Sequence, residues 1–303
     1  MKMTLSDLYG FVEAQLAGWP EAMERYIALG TTERRLEMYG DWPLIVQHNP
    51  TRAVSTEART DATSIAGRPC FLCEKNRPKE QKALIWPDGW HLLVNPFPVL
   101  PVHLVGASEK HQPQNALPIA AIETALAFPG LVAFFNGAKA GASAPDHLHF
   151  QAVLASELPL LAHVEKLHRN FGAAFSDELD SALPMRFISV LASPSSDDVM
   201  MKVLNACGLD AVTGIPDSDM VNTFVWVDND LMLRVLVFPR TRHRPRCYFA
   251  EGKERIAVSP GALDMAGLFI VPRAEDFARL DRSCIEEIYN EVQPDAASMR
   301  LLW

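Results

Sequence analysis

Residues 141–151 read GASAPDHLHFQ, and this run decides how the rest of the chain is read. Its first half is made of small residues, which let backbone N–H groups come close to an anion. Its second half is a predicted strand, His147–Val153, whose period-two alternation puts His147, His149 and Gln151 on one face. Two imidazoles and an amide in a row behind such a loop suit phosphorus chemistry. A neutral imidazole can attack phosphorus and be left as a covalent phosphoramidate. The Gln151 amide can donate to a phosphoryl oxygen without competing for the proton, and Ser143 can add a second donor. The same spacing also fits two structural histidines facing a wet groove.

Working outward, Leu131–Phe135 reads as a buried strand and residues 136–146 as a loop of small residues. Upstream lie strand candidates His91–Asn95 and Pro101–Val105, then a helix opened by Pro118 and ended by Pro129-Gly130. At the start of the chain, Leu5, Leu8, Tyr9, Val12 and Leu16 share a helical face, Gly18-Trp19-Pro20 breaks it, and a second helix runs from Pro20 to Leu29. Residues 43–56 suit a strand. Downstream, residues 157–183 read as helical or loop-like and residues 193–198 as a surface loop. Thr223–Val227 and Leu231–Phe238 form a hairpin about Asp228-Asn229-Asp230. Ile256–Val258 and Leu268–Val271 read as strands, and one helix over Ala274–Glu291 follows. The class is α+β, with a catalytic half over 1–170 that carries a helical extension at its start, and a second half over 171–303.

Lys+Arg 28 against Asp+Glu 37 gives a net charge of −9, which disfavours a nucleic-acid partner. The most apolar stretch, Leu117–Phe135, is interrupted by Glu123 and Pro129-Gly130, so no membrane span is expected. Neither a leader pattern nor a disulfide framework is visible among five cysteines, and the cytoplasm is the expected compartment. Two of those cysteines, Cys70 and Cys73, form C-x-x-C. Such a pair can chelate one zinc, with two further ligands drawn from His48, His91, His103, His111 and His147. A redox pair and two merely buried thiols are the alternatives, although the charged, Pro78-bearing run after Cys73 lacks the helix a redox pair needs. Residues 240–246 hold four arginines in seven positions: Arg240, Arg242, Arg244 and Arg246. They suit bidentate phosphate contacts or, equally, a solvated loop. Arg52 and Arg77 are similar candidates.

His147-Leu148-His149-Phe150-Gln151 follows the pattern H-x-H-x-Q. With the preceding GAS, the chain resembles the nucleotidyltransferase and phosphorylase branch of the histidine-triad (HIT) superfamily. That branch includes galactose-1-phosphate uridylyltransferase, diadenosine tetraphosphate phosphorylase and the GDP-hexose phosphorylases. The phrases CFLCEKNRP, NPFPVLPVH and SPGALDMAGLFIVP are similar to a bacterial family with no assigned function. The resemblance covers residues 45–155 and, more loosely, 220–290. It implies a HIT-like antiparallel sheet flanked by helices, the last third being either a degenerate second HIT-like half or an extension of the same sheet. It implies that His149 is the nucleophile, that Gln151, Ser143 and Asn136 contact phosphate beside the Gly141 loop, and that Asn95 meets the ribose and base. It implies a structural zinc on Cys70, Cys73, His111 and His147. The reaction would be a double displacement on a nucleoside diphosphate sugar or dinucleoside polyphosphate, through a nucleotidyl-histidine. Phosphate, pyrophosphate or a sugar 1-phosphate would be the acceptor, near Arg240, Arg242 and Arg244. Leu148 stands where uridylyltransferases carry proline, which weakens UDP-hexose transfer. A HIT-type hydrolase and a non-catalytic zinc-stabilised nucleotide-binding protein are the alternatives, and a homodimer is left open.

Overall fold

Twelve strands fall into two sheets among residues 3–56, 61–194 and 218–301, which the computed structural model describes. In chain order they are β1 (Glu33–Tyr39), β2 (Trp42–His48), β3 (Leu84–Trp86), β4 (Trp90–Val94), β5 (His103–Ser108), β6 (Leu131–Asn136) and β7 (His149–Leu154). Then come β8 (Gly172–Phe175), β9 (Ile188–Ala192), β10 (Val221–Val227), β11 (Leu233–Pro239) and β12 (Leu268–Val271). Nine of them make one sheet in the order β3-β4-β5-β7-β6-β10-β11-β9-β8. Every pairing in it is antiparallel. The chain on either side of residue 170 joins at β6–β10, so the last third extends the same sheet. The second sheet, β1-β2-β12, has β12 parallel to β2.

The alternation of side chains sorts the large sheet into two faces. Leu131, Ala133, Phe135, Phe150 and Val225 face one core, closed by α1 (Leu5–Ala17), α2 (Pro20–Leu29) and the helix Ile119–Ala127. Val132, Phe134, Val153, Phe224 and Trp226 face the other, where β2 and β12 pack with the helices of the last fifty residues. Covered on both sides, β6 is buried along its whole length, which is why its residues Leu131–Phe135 are an unbroken apolar run. Phe134 stacks on Phe224 at 5.5 Å between centroids, and Phe224 meets Phe238 edge-to-face at 5.8 Å. Burying each such ring contributes about 1.5–3 kcal/mol. Gly106 on β5 pairs with Phe150 on β7, and a Cβ there would stand 2.1 Å from the ring. Glycine therefore lets Phe150 lie flat on its neighbour and reach Trp90.

The expected helices at the start of the chain are present, α1 being capped by Thr4 in a capping box with Asp7. The hairpin turns where expected, with the Asp228 carboxylate accepting from Asp230 and Met232 N–H. Four expectations fail. The strand expected over 43–56 ends at His48, because the Asn49 side chain accepts Thr51 N–H and starts the short helices Pro50–Arg52 and Ala53–Thr56. Within 157–183, expected to be helical or loop-like, Gly172–Phe175 is a strand because it pairs with β9. Residues 256–258 are buried but form no strand, because the Ala257 N–H is taken by the Asp276 side chain and Val258 N–H turns back on Ile256. The single helix over 274–291 is two, Ala274–Arg279 and Arg282–Val292, because Asp281 accepts from Cys284 N–H and starts a new helix. Of the loop expected over 193–198, residues 195–198 lie outside the described residues. No helix among the described residues is long and apolar enough to cross a membrane.

Candidate active site and metal centre

β7 begins at His149, two residues later than the sequence suggests; His147 stands in the turn before it, its N–H bonded to Ala144 O. The facing expected from alternation still holds. Leu148 and Phe150 point into the helix-covered core, and His147, His149 and Gln151 take the opposite side. On that side the chain builds two adjoining sites.

The first is a Cys70, Cys73, His111 and His147 cluster, whose ligand atoms all lie within 4.8 Å of one another. Cys70 Sγ is 3.3 Å and Cys73 Sγ 3.6 Å from His147 Nδ1, and Cys73 Sγ is 3.4 Å from His111 Nδ1. A tetrahedral ion with bonds of about 2.3 Å to sulfur and 2.0 Å to nitrogen sets S···N at roughly 3.5 Å, so the four residues have the size of a metal site. His147 Nε2 donates to Ser108 O at 2.8 Å, which fixes the tautomer and leaves Nδ1 for the thiols. Burial acts to raise the Cys70 thiol, but its contact with His147 and the hydrogen bonds from Leu72 and Cys73 N–H outweigh it and bring it down to about 6. His48, His91 and His103, the other ligand candidates, stand elsewhere. His91 accepts from Arg77, and His103 belongs to the second site.

The second site is a cavity of about 640 Å³ beside the first, between the large sheet and the segment leading into β12. His149, Gln151, Asn136, Gly141, Ser143 and Asn95 all line it. The His149 main chain is held by one carboxamide: Gln114 Oε1 accepts its N–H, and Gln114 Nε2 donates both to its carbonyl and to Asn136 O. Gln114 thus bridges β6 and β7 just beyond their last backbone pair, Phe134–Gln151. His149 Nδ1 donates to His147 O at 2.8 Å, so the lone pair is on Nε2. Burial pulls the ring down to about 4, and it is neutral at physiological pH.

Gln151 is oriented by a residue the sequence offered only as a metal ligand. Val99 N–H donates to His103 Nδ1, so His103 carries its proton on Nε2 and gives it to Gln151 Oε1 at 2.8 Å. With its oxygen taken, Gln151 can only offer N–H to a ligand. Asn95 adds a longer contact to the same oxygen, 3.4 Å, while its own oxygen accepts Phe97 N–H. Gly141 has φ +102°, and a Cβ would come 2.9 Å from Gly261 Cα, so the phosphate-type loop closes against the last third only as glycine.

The arginine-rich segment divides. Arg244 lines the cavity, stacked on Tyr248 at 4.2 Å and bonded to Ser259 Oγ and Thr56 O. Arg240 is buried behind the wall, Arg242 is exposed away from it, and Arg246 pairs with Glu291 outside. Arg52 does line the cavity, bonded to Phe97 O, whereas Arg77 does not. The cavity is polar at the end holding Arg52, Arg244, Ser259 and Asp264, and apolar where Phe71, Leu72, Leu93 and Val105 meet. Arg68 lies over Phe71 at 4.9 Å and bonds Ser143 O and Asp146, tying the loop to the metal cluster, where Asp146 faces His111.

Residues 11–154 match a family described as Domain of unknown function (DUF4922), which is less than half of the chain. No curated protein matches it. Among solved structures, yeast Ap4A phosphorylase Apa2 in complex with AMP superposes with a TM-score of 0.57 at 15% identity, covering 92% of this chain and 96% of that one. A second structure of the same yeast enzyme gives 0.58 at 14% identity, and one in complex with Ap4A 0.55 at 15%, each covering 90% of this chain and 96% of that one. The shared fold runs through both halves of the chain, and it is the HIT-like sheet flanked by helices that H-x-H-x-Q implies.

Proposed function

We propose that the chain is a nucleotidyl phosphorylase working by double displacement at His149. The observation that carries this reading is one cavity wall holding a neutral imidazole with Nε2 free and an amide, Gln151, locked as a donor. His149 Nε2 attacks the α-phosphorus of a nucleoside diphosphate sugar or dinucleoside polyphosphate. The N–P bond forms as the anhydride P–O bond breaks, and the leaving phosphate departs with the electron pair. His147 O accepts from Nδ1–H throughout and stabilises the positive charge that develops on the ring. An acceptor oxygen then attacks phosphorus, the P–N bond breaks, and His149 returns neutral.

Gln151 decides between acceptors. It cannot supply or remove a proton, so it suits an exchange in which both the leaving group and the attacking group are phosphate oxygens. That favours phosphate over water, and phosphorolysis over hydrolysis. The superposition with a phosphorylase solved in complex with AMP and with Ap4A supports the same reading at the level of fold. The apolar end of the cavity suits a base, and Arg244 and Arg52 at the polar end suit the leaving or accepting phosphates.

In this reading the metal is zinc, held by Cys70, Cys73, His111 and His147; the donor set and the S···N distances fit it. Zinc there supplies no chemistry to the reaction; it fixes His147, whose carbonyl aims His149. The test is to incubate the protein with Ap4A and a panel of nucleoside diphosphate sugars, with and without inorganic phosphate. Release of a nucleoside diphosphate only when phosphate is present supports the proposal. Equal breakdown without phosphate makes the protein a hydrolase, and no breakdown makes it a binding module.

A further inference from the structure

We propose that Asn222 and Arg240 form a positioning relay that locks the Asn136 amide toward the substrate phosphate and sets a buried positive charge, bonded to no carboxylate, behind it. The inference rests on the phosphorylase reading and adds two residues that do not line the cavity. Arg240 is only 4% exposed, and all five of its N–H groups are used. Nε donates to Val292 O at 3.1 Å, Nη1 to Asn222 Oδ1 at 2.6 Å and Pro260 O at 3.0 Å, and Nη2 to Arg242 O and His243 O at 3.1 and 3.0 Å. Every acceptor is neutral. Asp264, the nearby acid that Arg240 feels, accepts instead from Gly261 and Ile270 N–H. A buried guanidinium without a bonded carboxylate is costly, and its field in a dry interior is correspondingly strong.

Asn222 carries this charge to the wall. It sits on β10 directly across from Asn136 on β6, fully buried. Its oxygen accepts from Arg240, so its Nδ2 is the donor, reaching Asn136 Oδ1 at 2.9 Å and Ala140 O at 2.7 Å. Ala262 N–H also donates to Asn136 Oδ1, at 2.7 Å. With two donors on its oxygen, the Asn136 amide cannot flip. Its NH2 is left for the cavity that Asn136 lines. Asn136 and Gln151 are thus two amides locked as donors by unrelated routes, the second through His103.

The test compares binding of AMP, GMP and UMP with that of adenosine, guanosine and uridine, so that the phosphate is read apart from the base. The wild type is expected to bind its preferred mononucleotide at least about tenfold tighter than the matching nucleoside. Asn222→Asp keeps the size and the acceptor for Arg240 but removes the donor to Asn136 and neutralises the arginine. It should cut that ratio about tenfold, the scale of one hydrogen bond to a charged group, with nucleoside affinity, metal content and melting temperature held. A purely structural role would not separate nucleotide from nucleoside. Should Asn222→Asp fail to fold, Arg240→Lys decides on the same ratio, with a fall of about threefold expected because lysine keeps the charge and loses the fork. An unchanged ratio in the variant that folds overturns the relay. A wild type that does not distinguish nucleotide from nucleoside overturns the phosphorylase reading instead.

Discussion

His147 and His149 are two residues apart and use their rings in opposite senses. His147 gives Nε2–H to Ser108 O and turns Nδ1 toward two thiols. His149 gives Nδ1–H to His147 O and keeps Nε2 for the cavity. Their ionisation diverges as well. Burial works against the charged form in both, yet the Cys70 contact raises His147 while His149 is pulled down to about 4. The comparison teaches that the nearest backbone carbonyl selects the working nitrogen. One imidazole becomes a ligand and its neighbour a nucleophile without any change of residue type. It also joins the two sites, since the bond from His149 Nδ1–H to His147 O links the nucleophile's ring to a residue of the metal cluster.

That link yields graded outcomes. The largest effect is expected at the metal cluster. Cys73→Ser should release the metal and lower the melting temperature by on the order of 5 °C, about 2 kcal/mol in a chain of this size, and remove most of the activity. Elemental analysis and a melting curve check it; full activity in metal-free protein would separate the two sites. An intermediate effect is expected at His103. His103→Leu frees the Gln151 amide to rotate and leaves Val99 N–H unpaired, so kcat/KM should fall about 10–100-fold, the scale of a lost orienting partner. Metal content should stay at the wild-type level. Loss of metal in that variant would show that the cavity also supports the cluster. The smallest effect is expected at Arg244. Arg244→Ala should raise the KM for phosphate about tenfold and leave the first half-reaction near its wild-type rate. An unchanged KM would place the acceptor elsewhere.

How much of this was legible in the sequence follows from what each feature depends on. α1, α2, β6 and β12 carry their own signal, either a helical apolar face or an apolar run buried on both sides. β1 does not. Its residues ERRLEMY are charged and largely exposed, and it is a strand only because β2 pairs with it along seven residues. β8, the edge strand GAAF, lies within the stretch expected to be helical or loop-like and is a strand only through its pairing with β9. At the site, Cys70, Cys73, His149 and Gln151 announce themselves by local spacing. Gln114, His103 and Asn222 act through partners 35, 48 and 86 residues away, and no local pattern marks them. The run of arginines misled in another way. It reads as one positive patch, whereas Arg240 is buried, Arg242 exposed, Arg244 in the cavity wall and Arg246 paired with Glu291.

The division of labour between the two histidines is tested most directly by trapping the intermediate. The protein is mixed with whichever nucleotide substrate it turns over, quenched without acceptor, digested and read by mass spectrometry. The account predicts a nucleoside monophosphate added to the peptide containing residues 147–151, located on His149. In His149→Ala the adduct should be absent, with metal content and melting temperature unchanged. An adduct on His147, or one formed by the His149→Ala protein at the wild-type rate, would contradict it.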